Sequence, residues 1–401
     1  MSTDKSHDAL PGRRRFLAAG LALASAPAFG LSKGPAPPDS ASREFDAFVL
    51  EQMRQARIPG LAVGLARDGA TRFARGFGYA DIDSRRMVDV DTVFHLASIT
   101  KTVTATAIAW LHEQGRLDLD EPVARHLDFP LHHPRHRGAA ITARQLLMHT
   151  SGISDANYYR IDFRRPGRDA DLSLHTFLRD YLVPGGEAYS VEGCFSASAP
   201  GAAWGYSNVG YAVLGELAAR VSGEDMRELT RRELFAPLGM TSTFWTLADT
   251  PAARSATPYL TTDNAYLRLS PIGSPDWPGS MLRSSIADLT RYVAAAANGG
   301  ATADARMLRT QSMAELLLMR QPAQLPAWLS GQGLGWMQAR LGDRTLANHW
   351  GGDPGVFTAA YLDPNTRCGV AILCNVTATD ASKAAIKNIT LRLLSRPDEM
   401  Y

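Results

Sequence analysis

The chain has 401 residues, of which 45% are hydrophobic and 20% are charged, and its formal net charge is +2. This length is sufficient for one large or two modest domains with a sizeable core. The near-neutral charge gives no reason to expect nucleic acid or an acidic membrane surface as a partner. Three cysteines, an odd number without zinc-ligand spacing, predict neither a complete disulfide framework nor a zinc site.

The N-terminus predicts an export signal. The motif RRRFL at residues 13–17 precedes an apolar, alanine-rich run, and small residues at 26–28 have the spacing of a cleavage site. The paired arginines are similar to the twin-arginine signal of bacteria. We therefore predict a signal peptide over residues 1–28, a proline-rich linker over 29–41 and an exported, periplasmic or secreted protein. The apolar run is too short to span a bilayer, so no membrane span is expected after cleavage.

Hydrophobic periodicity and turn residues predict a helix, a hairpin, a long and mainly helical segment, further strands and a last helix, in that order. The predicted helices cover residues 42–57, 98–115, 142–147, 207–223, 225–235, 285–298 and 380–393, and the predicted strands cover 61–66, 71–79, 334–337, 356–362 and 368–373.

This order predicts an α+β fold in which the early hairpin and the late strands share one antiparallel sheet. The terminal helices would cover one face of that sheet, and the helical segment would be a large insert. We expect residues 42–95 and 301–401 to form a sheet lobe and residues 96–300 to form a mainly helical lobe. A cleft between two lobes is a usual place for a ligand.

Ser98 and Lys101 are the first candidates for chemistry, because they lie three residues apart where a helix is predicted to begin. Residues at this spacing share a helix face. A lysine one turn away can take the proton of a serine if burial lowers its pKa. The alternative is that Ser98 is simply an N-cap, which is a common role of serine before an apolar helix.

Two further short motifs supply groups that such a serine needs. Tyr206 and Asn208 precede a helix of the insert; a phenol whose pKa is lowered by a nearby lysine can act as a general base, and an amide can hold a substrate or the lysine. His349 and the glycines at 351 and 352 precede a predicted strand. A cation at His349 would bind a substrate carboxylate or share in proton transfer, and the glycines let a substrate lie against the strand.

These three motifs in this order resemble S-x-x-K, Y-x-N and [K/H]-x-G of the serine β-lactamase and penicillin-binding-protein superfamily. The resemblance covers about residues 45–393 and is strongest to the class C β-lactamase-like branch, with its D-alanyl-D-alanine carboxypeptidases, D-amino-acid amidases and esterases. The segment LLMHTSGI at 146–153 is also similar to that branch, but we assign His149 no catalytic role.

The resemblance implies a serine hydrolase that forms an acyl-enzyme on an ester, amide or β-lactam carbonyl of a small molecule or peptide. Ser98 would be the nucleophile, and Lys101 with Tyr206 would accept and pass on its proton. Asn208, His349, Gly351 and Gly352 would bind the substrate, the N–H groups of Ser98 and Gly352 forming the oxyanion hole. No metal or cofactor is implied.

One residue departs from the family pattern of the dedicated β-lactamases. Class C β-lactamases have lysine where this chain has His349, whereas carboxypeptidase-like and esterase-like members have histidine there. An imidazole holds a substrate carboxylate less firmly than an ammonium does, because it is near neutral at pH 7. This departure disfavours efficient hydrolysis of β-lactams, which remain among the possible substrates.

Other functions fit the sequence less well. An α/β-hydrolase needs G-x-S-x-G, and the string at 205–209 lacks the second glycine. The histidines at 126, 132, 133 and 136 lie in a loop rich in proline and arginine without the spacing of metal ligands. The remaining alternative is a catalytically silent protein of the same fold that senses penicillin or cell-wall peptides.

Overall fold

The computed structural model describes residues 40–263 and 265–395. The predicted signal peptide over 1–28, and the predicted linker up to residue 39, lie outside the described residues. The first helix begins at Ser40, so the last two residues of the predicted linker belong to it. Within the described ranges, no helix combines the length and the apolar composition that crossing a membrane requires.

The strands, numbered in chain order through the described ranges, are β1 Gly60–Arg67, β2 Ala70–Asp81, β3 Arg86–Met87, β4 Val93–His95, β5 Arg165–Pro166, β6 Thr243–Phe244, β7 Tyr259–Thr261, β8 Tyr266–Arg268, β9 Ile272–Gly273, β10 Arg283–Ser285, β11 Gly331–Gln332, β12 Met337–Leu341, β13 Arg344–Asp353, β14 Val356–Asp363 and β15 Cys368–Cys374.

The α-helices of the same ranges are α1 Ser40–Ala56, α2 Thr100–Glu113, α3 Ala143–Leu147, α4 Ala156–Ile161, α5 Leu174–Leu182, α6 Val191–Cys194, α7 Asn208–Ser222, α8 Met226–Thr230, α9 Trp277–Ser280, α10 Ile286–Ala297, α11 Thr310–Leu316 and α12 Asp380–Ser395. A 3₁₀ turn, Ala97–Ile99, directly precedes α2.

The main sheet has the strand order β11-β12-β13-β14-β15-β1-β2-β3, and every neighbouring pair is antiparallel. The early hairpin β1–β2 therefore lies beside the late strand β15, as its turn and the chain order predict. The predicted fold class, an antiparallel sheet with terminal helices and a large helical insert, is confirmed. All strands of this sheet come from the two segments that we propose as the sheet lobe, and α2 to α10 come from the proposed helical lobe.

Alternation along β1 separates two hydrophobic cores. Leu61, Val63 and Leu65 pack in one core with apolar residues of the terminal helices α1 and α12. Ala62 and Ala66 face the other core, which includes α10 and α2. Side chains alternate between the faces of a strand, so small residues on this second face allow α10 to pack closely against the sheet.

The structure differs from the prediction at two strands near the functional motifs. The predicted strand over 334–337 is a turn up to Trp336, and β12 begins only at Met337. Strand β13, which carries His349, was not predicted from the pattern. Residues 346–349 are all buried, so they show no alternation, and the paired glycines that follow disfavour a strand by propensity.

Gly64 tests the close packing of α10 on the sheet. A Cβ at this position would lie 1.9 Å from the side-chain oxygen of Thr290 on α10. We expect Gly64→Ala to lower the free energy of unfolding by about 1–3 kcal/mol, because the helix must shift to admit the methyl group. Urea unfolding measures this change.

Gly138→Ala is the matched control, because no atom lies within 4 Å of its Cβ position. Equal stability of the two variants would contradict the packing described here.

Candidate active site

Ser98 lies in the 3₁₀ turn that connects β4 to α2, and its side chain is half-buried. Neither this turn nor α2 has a side-chain cap, so the alternative that Ser98 is an N-cap is wrong. Ala97 has φ of +46°, in the left-handed region that alanine rarely adopts. Backbone conformations of this kind cluster at active sites, where the surrounding structure enforces them.

Strands β13 and β14 hold the turn in place. The hydroxyl of Thr358 donates a hydrogen bond of 2.7 Å to the carbonyl of Leu96. A Cβ on Gly351 would lie 2.2 Å from that carbonyl oxygen and 3.1 Å from the backbone nitrogen of Ser98. Glycine is therefore required at 351, because only the absence of a side chain lets β13 approach the Ser98 backbone so closely.

Lys101 is fully buried in the first turn of α2. Its Nζ donates hydrogen bonds to Oδ1 of Asn208 at 2.6 Å, to the carbonyl of Gly279 at 2.7 Å and to Oγ of Ser98 at 3.3 Å. Burial lowers the pKa of Lys101 to about 8, although nearby aspartates, Asp276 foremost, act in the opposite direction. A substantial neutral fraction of this amine therefore exists slightly above neutral pH.

The ring of Tyr206 lies beside the lysine, with Nζ of Lys101 4.8 Å from the ring centroid. Burial raises the pKa of Tyr206 well above its usual value, although its interaction with Ser98 lowers it in part. The expectation that the pKa of this phenol is lowered is wrong, because burial disfavours the phenolate and the charges of Asp155 and Asp276 disfavour it further. Tyr206 keeps its proton at neutral pH.

Asn208 connects the lysine to the insert, and Asp155 holds Asn208 in place. The carboxylate of Asp155 accepts hydrogen bonds from the backbone N–H of Asn208 at 2.6 Å and from the hydroxyl of Ser207 at 2.7 Å. Burial raises the pKa of Asp155 to about 6. Sequence reasoning missed this residue, since nothing in the pattern of the loop at 151–155 indicates that it reaches the start of α7.

Tyr159 is a second residue that sequence reasoning did not single out. Its hydroxyl accepts a hydrogen bond of 3.0 Å from Nδ2 of Asn208, while 67% of the residue is exposed. An exposed aromatic ring anchored beside Asn208 offers a contact surface for part of a substrate.

His149 packs against the ring of Tyr206. Its ring stacks on the ring of Tyr206 with centroids 4.3 Å apart, and its Nδ1 accepts a hydrogen bond of 3.1 Å from the backbone N–H of Ser207. Burial moves the pKa of His149 well below its usual value, and the charge of Lys101 adds to this shift. The geometry gives His149 a positioning role.

His349 is fully buried on β13. Its Nδ1 lies 2.7 Å from the carbonyl of Gly335, which can only accept, so Nδ1 carries the proton. Burial lowers the pKa of His349 to about 3, and the charge of Lys101 lowers it further. His349 is therefore neutral at pH 7, as the residue type predicts, and supplies no cation for a substrate carboxylate. Its Nε2, which has no hydrogen-bond partner among the described residues, is an acceptor.

Gly352 follows on the same strand and is exposed. No atom of the described residues lies within 4 Å of the place where its Cβ would be. The backbone beside Gly352 is therefore accessible to a substrate, as an oxyanion hole requires.

One cluster in the described part of the chain has the spacing of metal ligands: Asp128, His175 and Glu216. Arg220 donates hydrogen bonds of 2.8 Å to both carboxylates. The arginine already neutralises the cluster, so this spacing does not indicate a metal site.

Comparison with known proteins identifies relatives across nearly the whole described chain. The model of the family described as Beta-lactamase matches residues 45–393. Protein flp of Staphylococcus aureus strain NCTC 8325 / PS 47 is 25% identical over 259 residues, which are 64% of this chain and 49% of that protein. The chain thus spans about half the length of the curated relatives that it matches first.

Solved structures share the fold. An octameric penicillin-binding protein homologue from Pyrococcus abyssi has a TM-score of 0.71 at 24% identity and covers 88% of this chain and 77% of its own. D-amino acid amidase from Ochrobactrum anthropi SV3 has a TM-score of 0.70 at 22% identity, and the match covers 90% of this chain and 100% of the amidase chain. EstCE1, described as a hydrolase with promiscuous acyltransferase activity, has a TM-score of 0.72 at 22% identity, and the match covers 87% of this chain and 98% of the EstCE1 chain.

The protonation state of His349 gives a direct test of the site's electrostatics. We expect ¹H–¹⁵N spectra of histidine-labelled protein to show His349 as the neutral Nδ1–H tautomer from pH 8 down to pH 5, because its pKa is lowered to about 3. His349→Asn assigns the resonance. A titration midpoint between pH 5 and 8 would contradict the neutral, buried imidazole.

Proposed function

The chain belongs to the beta-lactamase family, as its three motifs predict, and we propose that it is a serine hydrolase that acts through an acyl-enzyme on an ester, amide or β-lactam carbonyl. One observation carries this proposal: the hydroxyl of Ser98 accepts a hydrogen bond from the buried amine of Lys101, whose pKa is lowered to about 8. The hydrolases among the structures of the same fold agree with it.

Lys101 is the base that activates Ser98. When Lys101 is neutral, its Nζ accepts the proton of the Ser98 hydroxyl, and Oγ attacks the substrate carbonyl to form a tetrahedral oxyanion. Tyr206 keeps its own proton and interacts with Ser98. It donates this proton to the leaving group and receives one from Lys101 in exchange, so the leaving group departs neutral and an acyl-enzyme remains.

The second half of the reaction reverses the first with water in place of the leaving group. Tyr206 and Lys101 take a proton from the water as it attacks the acyl carbon, and Ser98 recovers its proton when the acid departs. The N–H groups of Ser98 and Gly352 stabilise the oxyanion in both halves. The close approach of β13 at Gly351 and the open space at Gly352 support this assignment.

Neutral esters are the substrate class that we propose for the site. A substrate carboxylate would need a cation, but His349 is neutral at pH 7. Arg164 is near β13, but both of its partners are carboxylates: Asp162 at 2.7 Å and Asp353, the last residue of β13, at 3.2 Å. The acceptor at Nε2 of His349 suits a substrate that donates a hydrogen bond or carries no charge.

We also propose that the mature protein is exported, because its N-terminal sequence resembles a bacterial export signal.

A substrate panel tests this function. We expect the protein without residues 1–28 to hydrolyse short-chain nitrophenyl esters, with lower activity on a chromogenic cephalosporin and on a D-Ala-D-Ala peptide. Ser98→Ala should reduce ester hydrolysis by about a thousandfold or more, because the nucleophile is removed. Full activity of Ser98→Ala would assign the nucleophile to another residue.

The pH profile tests the role of Lys101. Because the reactive form needs a neutral amine, we expect kcat/KM for an ester to rise with pH through about 8 and then to level off. Lys101→Arg keeps a cation but removes the base, so it should lower kcat/KM by about 10²–10⁴-fold. A rise centred below pH 7, or an active Lys101→Arg variant, would indicate a different base.

A further inference from the structure

A cavity lies beside strands β4 and β10. Its volume is about 670 Å³, within the range of about 300–1,000 Å³ that small-molecule pockets span. Strands β4 and β10, the segment between β6 and β9, and the turn that joins β13 to β14 form its walls. Ser98, Lys101 and Tyr206 are not among the described residues that line it.

Arg283 gives the cavity a buried cation. This residue, on β10, is 3% exposed, and its N–H groups donate to the carbonyls of Met281, at 2.8 Å, and Ile272. No carboxylate among the described residues lies within 4 Å of its guanidinium nitrogens. Burial lowers the pKa of Arg283 to about 10, so it keeps its charge at neutral pH. Asp169 and Asp353 attract the guanidinium at longer range and offset part of the effect of burial. A buried cation that lacks a directly paired carboxylate is stabilised further when an anion joins it.

The other polar groups of the wall do not compensate this charge. His95 pairs with Arg283 across β4 and β10, but its Nε2 donates to the carbonyl of Ser280 at 2.7 Å and its pKa is lowered to about 3. His95 is therefore neutral.

Asp81 is the one carboxylate among the described lining residues, and its oxygens are already paired with other groups. It accepts hydrogen bonds from Thr257 at 2.6 Å and from Ser84 at 2.8 Å, and it is paired with Arg268 at 2.9 Å. Arg86 donates to the carbonyl of Ser255, and no acidic group of the described ranges lies within 4 Å of its guanidinium. The wall thus has an excess of positive charge.

The rest of the wall is largely apolar. Its hydrophobic side chains include Val93, Phe94, Leu247, Leu269, Ile272 and Val356. A ligand that matches both parts of this wall has one anionic group and a compact hydrocarbon body. A guanidinium presents a planar fork of donors that fits the two oxygens of a carboxylate.

We propose that this cavity binds a small organic carboxylate with an aliphatic or aromatic body, held by Arg283 with Arg86 at its charged end. This site does not depend on the proposed hydrolase activity, and either proposal can fail without the other.

Calorimetric titration with octanoate tests the site. We expect saturable binding to the wild-type protein, at least about tenfold weaker binding of octanol, and at least about tenfold weaker octanoate binding to Arg283→Met, because a charge-assisted bidentate contact is lost. Octanoate should also raise the melting temperature of the wild type more than that of Arg283→Met. Arg340→Met is the matched control, because Arg340 is exposed and does not line the cavity; it should bind as the wild type does.

Any one of four results would overturn the proposal. The first two are no saturable binding at millimolar octanoate, and equal octanoate affinity in the wild type and Arg283→Met. The other two are binding of octanol, or of inorganic phosphate, that is as tight as binding of octanoate. If Arg283→Met does not fold, Arg86→Met takes its place and should also weaken binding. A crystal structure with octanoate locates the ligand: a carboxylate at Arg283 supports the site, and one found only beside Ser98 contradicts it.

Discussion

The structure depends on one buried cation, the ammonium of Lys101. Burial of an ammonium costs several kcal/mol unless hydrogen bonds replace its water. Three elements supply them: the side chain of Asn208 on α7, the carbonyl of Gly279 on α9, and the hydroxyl of Ser98 in the turn before α2. The same contacts that stabilise the buried charge therefore join the insert to the first turn of α2 and place the amine beside the serine.

This single charge also sets the protonation of its neighbours. It lowers the pKa of His349 and of His149, both of which are already disfavoured as cations by burial. It does not lower the pKa of Tyr206 below its usual value, because the phenolate would be desolvated as well. The site therefore combines the titrating amine of Lys101 with a neutral imidazole at His349 and a protonated phenol at Tyr206. This arrangement supports our proposals that Lys101 is the base and that the substrate is uncharged.

Local sequence signals predicted much of the fold. Turn residues predicted the β1–β2 hairpin, and the helices predicted to begin at residues 142, 207 and 285 begin directly after the N-caps Thr142, Ser207 and Ser285. Long-range features were not predictable. Strand β13 is buried on both faces and shows no alternation, and the contact of Asp155 with the start of α7 spans more than fifty residues of chain. The residue type predicted an imidazole near neutral at pH 7, but the fall of the pKa of His349 to about 3 follows from its burial, which no motif encodes.

The central claim is that Ser98, activated by Lys101, forms a covalent acyl-enzyme. Intact-protein and peptide mass spectrometry after incubation with a fluorophosphonate tests this claim most directly, because the probe reacts with activated serines irrespective of substrate. The account predicts one adduct, located on the peptide that contains Ser98, in the wild-type protein and none in Ser98→Ala. An adduct on another residue, or no adduct in the folded wild-type protein, would contradict it.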